Sequence, residues 1–199
     1  MRPRQAPLKD PGLRARFSDP LPRAFYERPT AVVARALIGR WIVVRSGRSF
    51  HAARMVETEA YVGRDPASHA YRGSTRRNAS MFGAPGTLYV YRIHQVHCAN
   101  AVTRTGQAVL LRAAEPLGPD LPSLSGPGRL CRGLGLTRDD DGISLVSGRV
   151  RIVLGDPSAP EVVRAPRVGI TRAVERPLRF LWRDHAAVSS PRPWPRLRP

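Results

Sequence analysis

Two periods run through the chain. Helical spacing is clearest from Thr30 to Ile38, where Val33 and Leu37 stand four residues apart and Gly39 suits the position just past a helix end. Thr30 is the expected N-cap. A second short helix is predicted from Gly126 to Leu136, weakened by its glycines. Elsewhere the period is that of strands. Trp41 to Val44, Ala53 to Val62, Thr87 to Ile93, Val96 to Thr103, Gln107 to Ala113, Arg149 to Leu154, Arg167 to Thr171 and Leu178 to Trp182 each read as a strand. His94-Gln95 is the expected turn of a hairpin. Short strands in succession predict an α+β fold on an antiparallel sheet rather than a parallel βαβ array. Gly63 to Gly86 is long and polar and reads as a functional loop.

Prolines set the expected limits. Residues 1–22 hold Pro3, Pro7, Pro11, Pro20 and Pro22 among basic residues and read as a flexible basic arm. Residues 189–199 read as a Pro/Arg-rich tail that is neither helix nor central strand. That leaves a single domain over residues 23–188, in keeping with about 150 residues per domain.

Composition narrows the partners. Hydrophobic residues make up 42%, enough for a core, so wholesale disorder is not expected. Lys and Arg number 33 against 15 Asp and Glu, a net charge of +18. So basic a chain is expected to meet a polyanion. Nearly all of the positive charge is arginine, and Lys9 is the only lysine. Two cysteines, Cys98 and Cys131, make neither a disulfide framework nor a four-thiolate zinc site. No apolar run approaches the roughly 18 residues of a membrane span. No apolar stretch of a secretory signal follows the basic start. The expectation is a soluble protein in a reducing interior, without a membrane partner; for a bacterial source that is the cytoplasm and its nucleoid.

The candidate chemistry begins with the acidic strand. By alternation Met55, Glu57, Glu59 and Tyr61 share one face, and Val56, Thr58, Ala60 and Val62 the other. A carboxylate among apolar groups gains proton affinity and can act as general acid or base. The alternative is two solvent-facing acids paired with arginines. Tyr89 and Tyr91 likewise share a face, with Arg92 and His94 opposite, which suits stacking on bases or a plain cross-strand aromatic pair. The histidines His51, His69, His94, His97 and His185 match no metal-ligand spacing. Asp139-Asp140-Asp141-Gly142 lacks the alternating acids of a calcium loop and reads as a turn or helix cap. With the sole lysine in the arm, lysine-dependent Schiff-base chemistry is disfavoured.

Several segments converge, in order. They are Arg54-Met55-Val56-Glu57-Thr58-Glu59-Ala60-Tyr61, His69, Thr75-Arg76-Arg77-Asn78, Met81-Phe82 and Pro85-Gly86-Thr87-Leu88-Tyr89-Val90-Tyr91. Cys98-Ala99-Asn100, Val109 to Leu117, Gly128-Arg129-Leu130-Cys131, Arg167-Val168-Gly169-Ile170 and Pro177-Leu178-Arg179-Phe180 continue the series. Together, over about residues 23–183, they resemble the alkyladenine (3-methyladenine) DNA glycosylase family. The resemblance implies a curved antiparallel sheet with a protruding hairpin and peripheral helices. It implies a monomer that excises alkylated or deaminated purines from double-stranded DNA through the minor groove, with neither metal nor cofactor. By motif position, Glu59 would be the general base that activates water, and Arg112 would help hold that water and the carboxylate. Tyr61, His69 and Tyr91 would form the pocket for the flipped base. Asn100 would crowd the exocyclic amine of normal guanine. His94, at the hairpin tip, would be the wedge that enters the DNA.

The chain departs from the family at that wedge. It carries His94-Gln95 where the family commonly has Tyr-Gly, and the interval from Tyr91 to Asn100 is one residue short, which brings in Val96 and His97 as alternatives. Glu57 is the rival to Glu59 as base. Two other classes compete: a non-catalytic nucleic-acid-binding protein, and a phosphate-cleaving enzyme using a metal on Asp139, Asp140 and Asp141.

Overall fold

The structure is a computed structural model that describes residues 17–47, 49–119, 121–155, 160–191 and 193. Two helices come first, α1 (Arg23–Tyr26) and α2 (Thr30–Leu37). Strands β1 (Trp41–Ser46), β2 (Ser49–Tyr61), β3 (Leu88–Ile93), β4 (Val96–Val102), β5 (Ala108–Pro116) and β6 (Leu124–Ser125) follow. After them come α3 (Pro127–Leu134), β7 (Val150–Val153), β8 (Val162–Ala165) and β9 (Arg179–Trp182). All nine strands join one antiparallel sheet in the order β3-β4-β5-β2-β1-β7, with β6 on β5 and with β9 carrying β8 on β2.

Strand β2 makes the sheet curl. Its first half pairs with β1, from Ser49↔Ser46 to Arg54↔Trp41, and its second half pairs on that side with β9, Glu57↔Leu181 to Glu59↔Arg179. β5 runs along its other side from Ala53 to Tyr61. Between the two halves the β2–β5 ladder is broken twice. Met55 faces Ala114, Glu57 faces Ala113 and Thr58 faces Leu111, so Val56 and Arg112 are each an extra residue on opposite strands. Such bulges bend a strand and re-aim its side chains.

That bulge corrects the expected faces. Glu57, Glu59 and Tyr61 do share one face, but Met55 is turned to the other, into the main core with Ala53, Ala60 and Leu111. There α2 and α3 cover the sheet through Val33, Leu37, Leu130 and Leu134, all buried. Each such side chain contributes about 1.5–3 kcal/mol on full burial.

Other expectations shift locally. Pro29, not Thr30, is the N-cap of α2, and no side chain caps it. Thr30 points instead to the β4–β5 connection, donating to Gln107 Oε1 at 2.7 Å and lying 2.9 Å from Thr103 Oγ1. Arg167 to Thr171 is not a strand, because Arg167 and the amide of Val168 are engaged by two buried carboxylates; the strand in that region is β8, a little earlier. Residues 1–16 and 194–199 lie outside the described residues, Lys9 and Trp194 among them. The remainder of the expected arm is packed: the Phe17 ring lies 5.5 Å from that of Trp41 and 5.8 Å from that of Phe50, and Leu21 is buried. Ser189, placed in the expected tail, is also buried. The acidic triplet is fixed by protein partners. Thr137 and Asp140 form a capping box, Asp140 takes Arg149 through two bonds of 2.6 Å, and Asp141 accepts from Ser80 Oγ and the Val90 amide.

Candidate active site

Glu59 lies in the middle of β2's second half and is wholly buried. Its two carboxylate oxygens are differently held. Oε2 accepts from the Tyr61 hydroxyl at 3.0 Å, and Oε1 accepts from the backbone amide of Val168 at 2.8 Å. Arg112 Nη1 stands 3.5 Å from Oε1. Burial pushes the carboxyl's proton affinity up, with a smaller push from Glu57, against the pull of Arg112, the Val168 amide and Tyr61.

Glu57 is in a different position. It accepts from Arg112 Nε, Arg179 Nε and both Ser189 donors, so both of its oxygens are occupied by protein. Of the two rivals, Glu59 is the one bonded to a residue, Tyr61, that lines an aromatic cavity.

That cavity, of about 120 Å³, is lined by Tyr61, His69, Met81, Tyr89, Tyr91, Ile93, Asn100 and the Gly169–Ile170 segment, with Ala67. Glu59 does not line it; Tyr61 and Gly169, on either side of the carboxylate, do. Tyr89 and Tyr91 keep their shared face, with ring centroids 5.6 Å apart. The His69 ring meets Tyr91 edge-on at 4.3 Å, and its Nδ1 is 3.1 Å from the Tyr89 hydroxyl. Partial burial lowers the proton affinity of His69, and burial pushes the Tyr89 phenol up to about 12. Asn100 is held as a wall of the cavity by its amide, which donates to the carbonyls of Tyr89 and Cys98.

Buried polar contacts order the loop from Gly63 to Gly86. Asp65 and Arg167 form a buried two-bond ion pair, and Arg167 also donates to the Ala60 carbonyl at 3.1 Å with its guanidinium 4.7 Å from the Tyr61 ring centroid. Asn78 bridges Thr75 to the carbonyls of His69 and Gly73. Arg64, Arg72, Arg76 and Arg77 of this loop and Arg92 of β3 are exposed.

The hairpin turn is where the sequence puts it. His94 and Gln95 are its two central residues, both left-handed with φ of 43° and 68°, and both exposed. Two left-handed non-glycine residues make a primed turn, which twists with the strands. Ile93 beside them is an exposed apolar side chain at the cavity. A larger groove of about 620 Å³ lies between the hairpin tip, β1 and α3; it is lined by Gln95, Val96 and His97 but by no carboxylate.

The structure thus brings Glu59, Arg112 and Tyr61 together by direct contact and places His69, Tyr91 and Asn100 around the adjoining cavity. His94 stands apart at the hairpin tip. Asp65, Arg167 and the Val168 amide were not legible as site residues, because their segments read as a loop and a strand. Among the described residues no helix is long and apolar enough to cross a membrane.

A buried carboxylate beside an aromatic cavity, in a basic domain, defines an enzyme that handles a planar group from a polyanion. The family model described as methylpurine-DNA glycosylase matches residues 24–186. A protein of Methanoculleus marisnigri named "Putative 3-methyladenine DNA glycosylase" is 48% identical over 189 residues, covering 85% of this chain and 98% of its own length. One of the same name from Anaeromyxobacter dehalogenans is 47% identical over 182 residues, covering 87% of each chain. One from Agrobacterium fabrum is 44% identical over 186 residues, covering 87% of this chain and 94% of its own. The chain belongs to the methylpurine-DNA glycosylase family: it is a DNA-repair enzyme, a monofunctional glycosylase that hydrolyses N-glycosidic bonds.

Proposed function

We propose that this enzyme removes alkylated and deaminated purines, namely 3-methyladenine, 7-methylguanine, hypoxanthine and ethenoadenine, from duplex DNA. It acts as a monomer approaching through the minor groove. The observation that carries this reading is the buried Glu59 carboxylate, its proton affinity raised, bonded to Tyr61 in the wall of an aromatic cavity.

A base inside the duplex is out of reach, so the damaged nucleotide is turned out at a cost of a few kcal/mol. His94 enters the stack behind it and fills the gap. The turned-out purine rests against Tyr61, His69 and Tyr91, and a cationic alkylated purine gains most from their faces. Asn100 crowds the exocyclic amine of an intact guanine. Cleavage of the glycosidic bond builds positive charge on the sugar. Glu59 stabilises that charge and takes the proton from the attacking water, which Arg112 helps to hold. The step needs only water, and its products are free base and an abasic site. The exposed arginines of the loop and hairpin hold phosphates.

The test is incubation with duplexes carrying each lesion, measuring free base released, for the parent and for Glu59→Gln. The variant is expected to bind lesion duplex and release no base. Near-parent release by the variant, or no release by the parent from any lesion, overturns the reading.

A further inference from the structure

Glu57 is wholly buried and does not line the cavity. Four donors converge on it. Arg112 Nε and Arg179 Nε reach Oε1 at 2.7 Å each, Ser189 Oγ reaches Oε1 at 2.9 Å, and the Ser189 amide reaches Oε2 at 2.7 Å. Arg179 donates onward to the carbonyls of Ser189 and Pro191. The carboxylate, one guanidinium and the chain after β9 therefore form a closed ring of bonds. Oε1 takes three of the four donors and Oε2 takes the fourth, so protein groups hold both oxygens. Arg112, meanwhile, is the extra residue of the β5 bulge. Its backbone has no ladder partner to fix it, and its side chain is oriented by Glu57 on Nε while Nη1 faces Glu59.

We infer that Glu57 is a positioning residue for base excision: anchored by Arg179 and Ser189, it holds Arg112 in the bulge so that one guanidinium spans both carboxylates. The inference rests on the reading of Glu59 as the base. It makes the segment after β9, remote in sequence from every pocket residue, part of what sets the site.

The arrangement has a signature in pH. Glu59 is faced by Glu57 and Tyr61 of β2, Arg112 of β5, Cys98 of β4, Arg167 after β8 and, at the paired position of β9, Arg179. Glu57 raises the proton affinity of Glu59, and Arg112 lowers it. Glu57→Gln keeps the shape, removes the first influence and frees Arg112 from its anchor, so the second and larger influence is lost with it. Loss of the Arg112 pull outweighs loss of the Glu57 push, and the proton affinity of Glu59 rises. A Glu57 that served the fold alone would leave Arg112 in place, and losing its charge would then lower the proton affinity of Glu59.

The experiment uses the full chain. Single-turnover excision of hypoxanthine is followed across pH for the parent and Glu57→Gln. Lesion-duplex affinity is measured in parallel, and the Glu59 carboxyl is titrated directly by carbon NMR. In Glu57→Gln the acid limb and the NMR titration are expected to move up together. The plateau rate should fall about 10- to 100-fold at unchanged duplex affinity, the usual consequence of a displaced catalytic group. A folded Glu57→Gln whose Glu59 titrates at or below the parent's pH overturns the inference. Should that variant not fold, Ser189→Ala decides: about tenfold slower excision at parent affinity supports it, and the parent rate overturns it. If Glu59→Gln excises like the parent, the reading of Glu59 as base falls instead, and the NMR titration still shows whether Glu57 governs that carboxyl.

Discussion

Asp65→Asn should unfold this protein far more readily than its size suggests. The Asp65 and Arg167 side chains are both fully inaccessible, and two bonds join them. Asparagine keeps the volume and the oxygen that accepts from the Ala67 amide, so no cavity opens and the local turn survives. What changes is that a guanidinium remains buried without its counter-charge. Breaking a buried pair from one side costs about 3–5 kcal/mol. At about 2–4 °C per kcal/mol for a domain of this size, the Tm should fall by roughly 6–20 °C. Excision should suffer too, because Arg167 packs on Tyr61 and the next amide holds Glu59. Thermal and urea unfolding of the parent, Asp65→Asn, Arg167→Met and the double variant would read the effect. The double variant should lose less than Asp65→Asn alone, since no unpaired charge remains. A loss under about 1 kcal/mol in Asp65→Asn would refute the reasoning, because it would mean water reaches the guanidinium.

Three further outcomes follow from the site. Excision of hypoxanthine should rise with pH through a limb above the ordinary carboxylate range, because burial raises the proton affinity of Glu59 and, on the proposed mechanism, the ionised form is the base; a limb at ordinary carboxylate pH argues against it. The same shift has the opposite sign for stability: the Glu59 contribution is complete below its unfolded value of about 4.3 and is lost as pH rises through its folded value. The product should be an intact abasic site, cut only by alkali or heat, with no borohydride-trapped adduct, since Lys9 is the only lysine; a trapped adduct contradicts this. His94→Ala should weaken flipping, followed by ethenoadenine fluorescence, and should slow excision most from stable pairs; unchanged flipping would move the wedge to Val96 or His97.

Most of the sheet was legible because short alternating runs in a chain of this length leave few other folds. The hairpin was legible to the residue, since His94-Gln95 is the only polar pair between two strong strands. The orientation of Met55 was not. Met-Val-Glu-Thr-Glu-Ala-Tyr alternates without a flaw on paper, and nothing local marks Val56 as supernumerary. That fact depends on β5, more than fifty residues away in sequence. The same holds for Glu57. Two acids two apart look alike, and what separates them is Arg179 and Ser189, far along the chain. Aromatic pocket residues could be read from their spacing, whereas the ion pair that pins them joins a loop to a stretch that reads as a strand.

The paired interruptions at Val56 and Arg112 have a consequence for how such a protein can change. Before and after them the partners of β2 and β5 follow one frame, from Ala53↔Pro116 to Tyr61↔Ala108. Striking out Val56 alone would slip that frame by a residue and turn one half of the ladder inside out. Striking out both residues would restore it: Ala53, Met55, Thr58 and Ala60 would alternate unbroken on the core side, and Glu57, Glu59 and Tyr61 on the other. The frame would be kept, while Val56 would leave its small cluster with Ala113, Ala165, Leu181 and Val188, and the guanidinium between the two acids would be gone. On the proposed mechanism, chemistry and scaffold are thus written in separable letters: two compensating deletions keep the strand frame and remove the group that helps hold the attacking water.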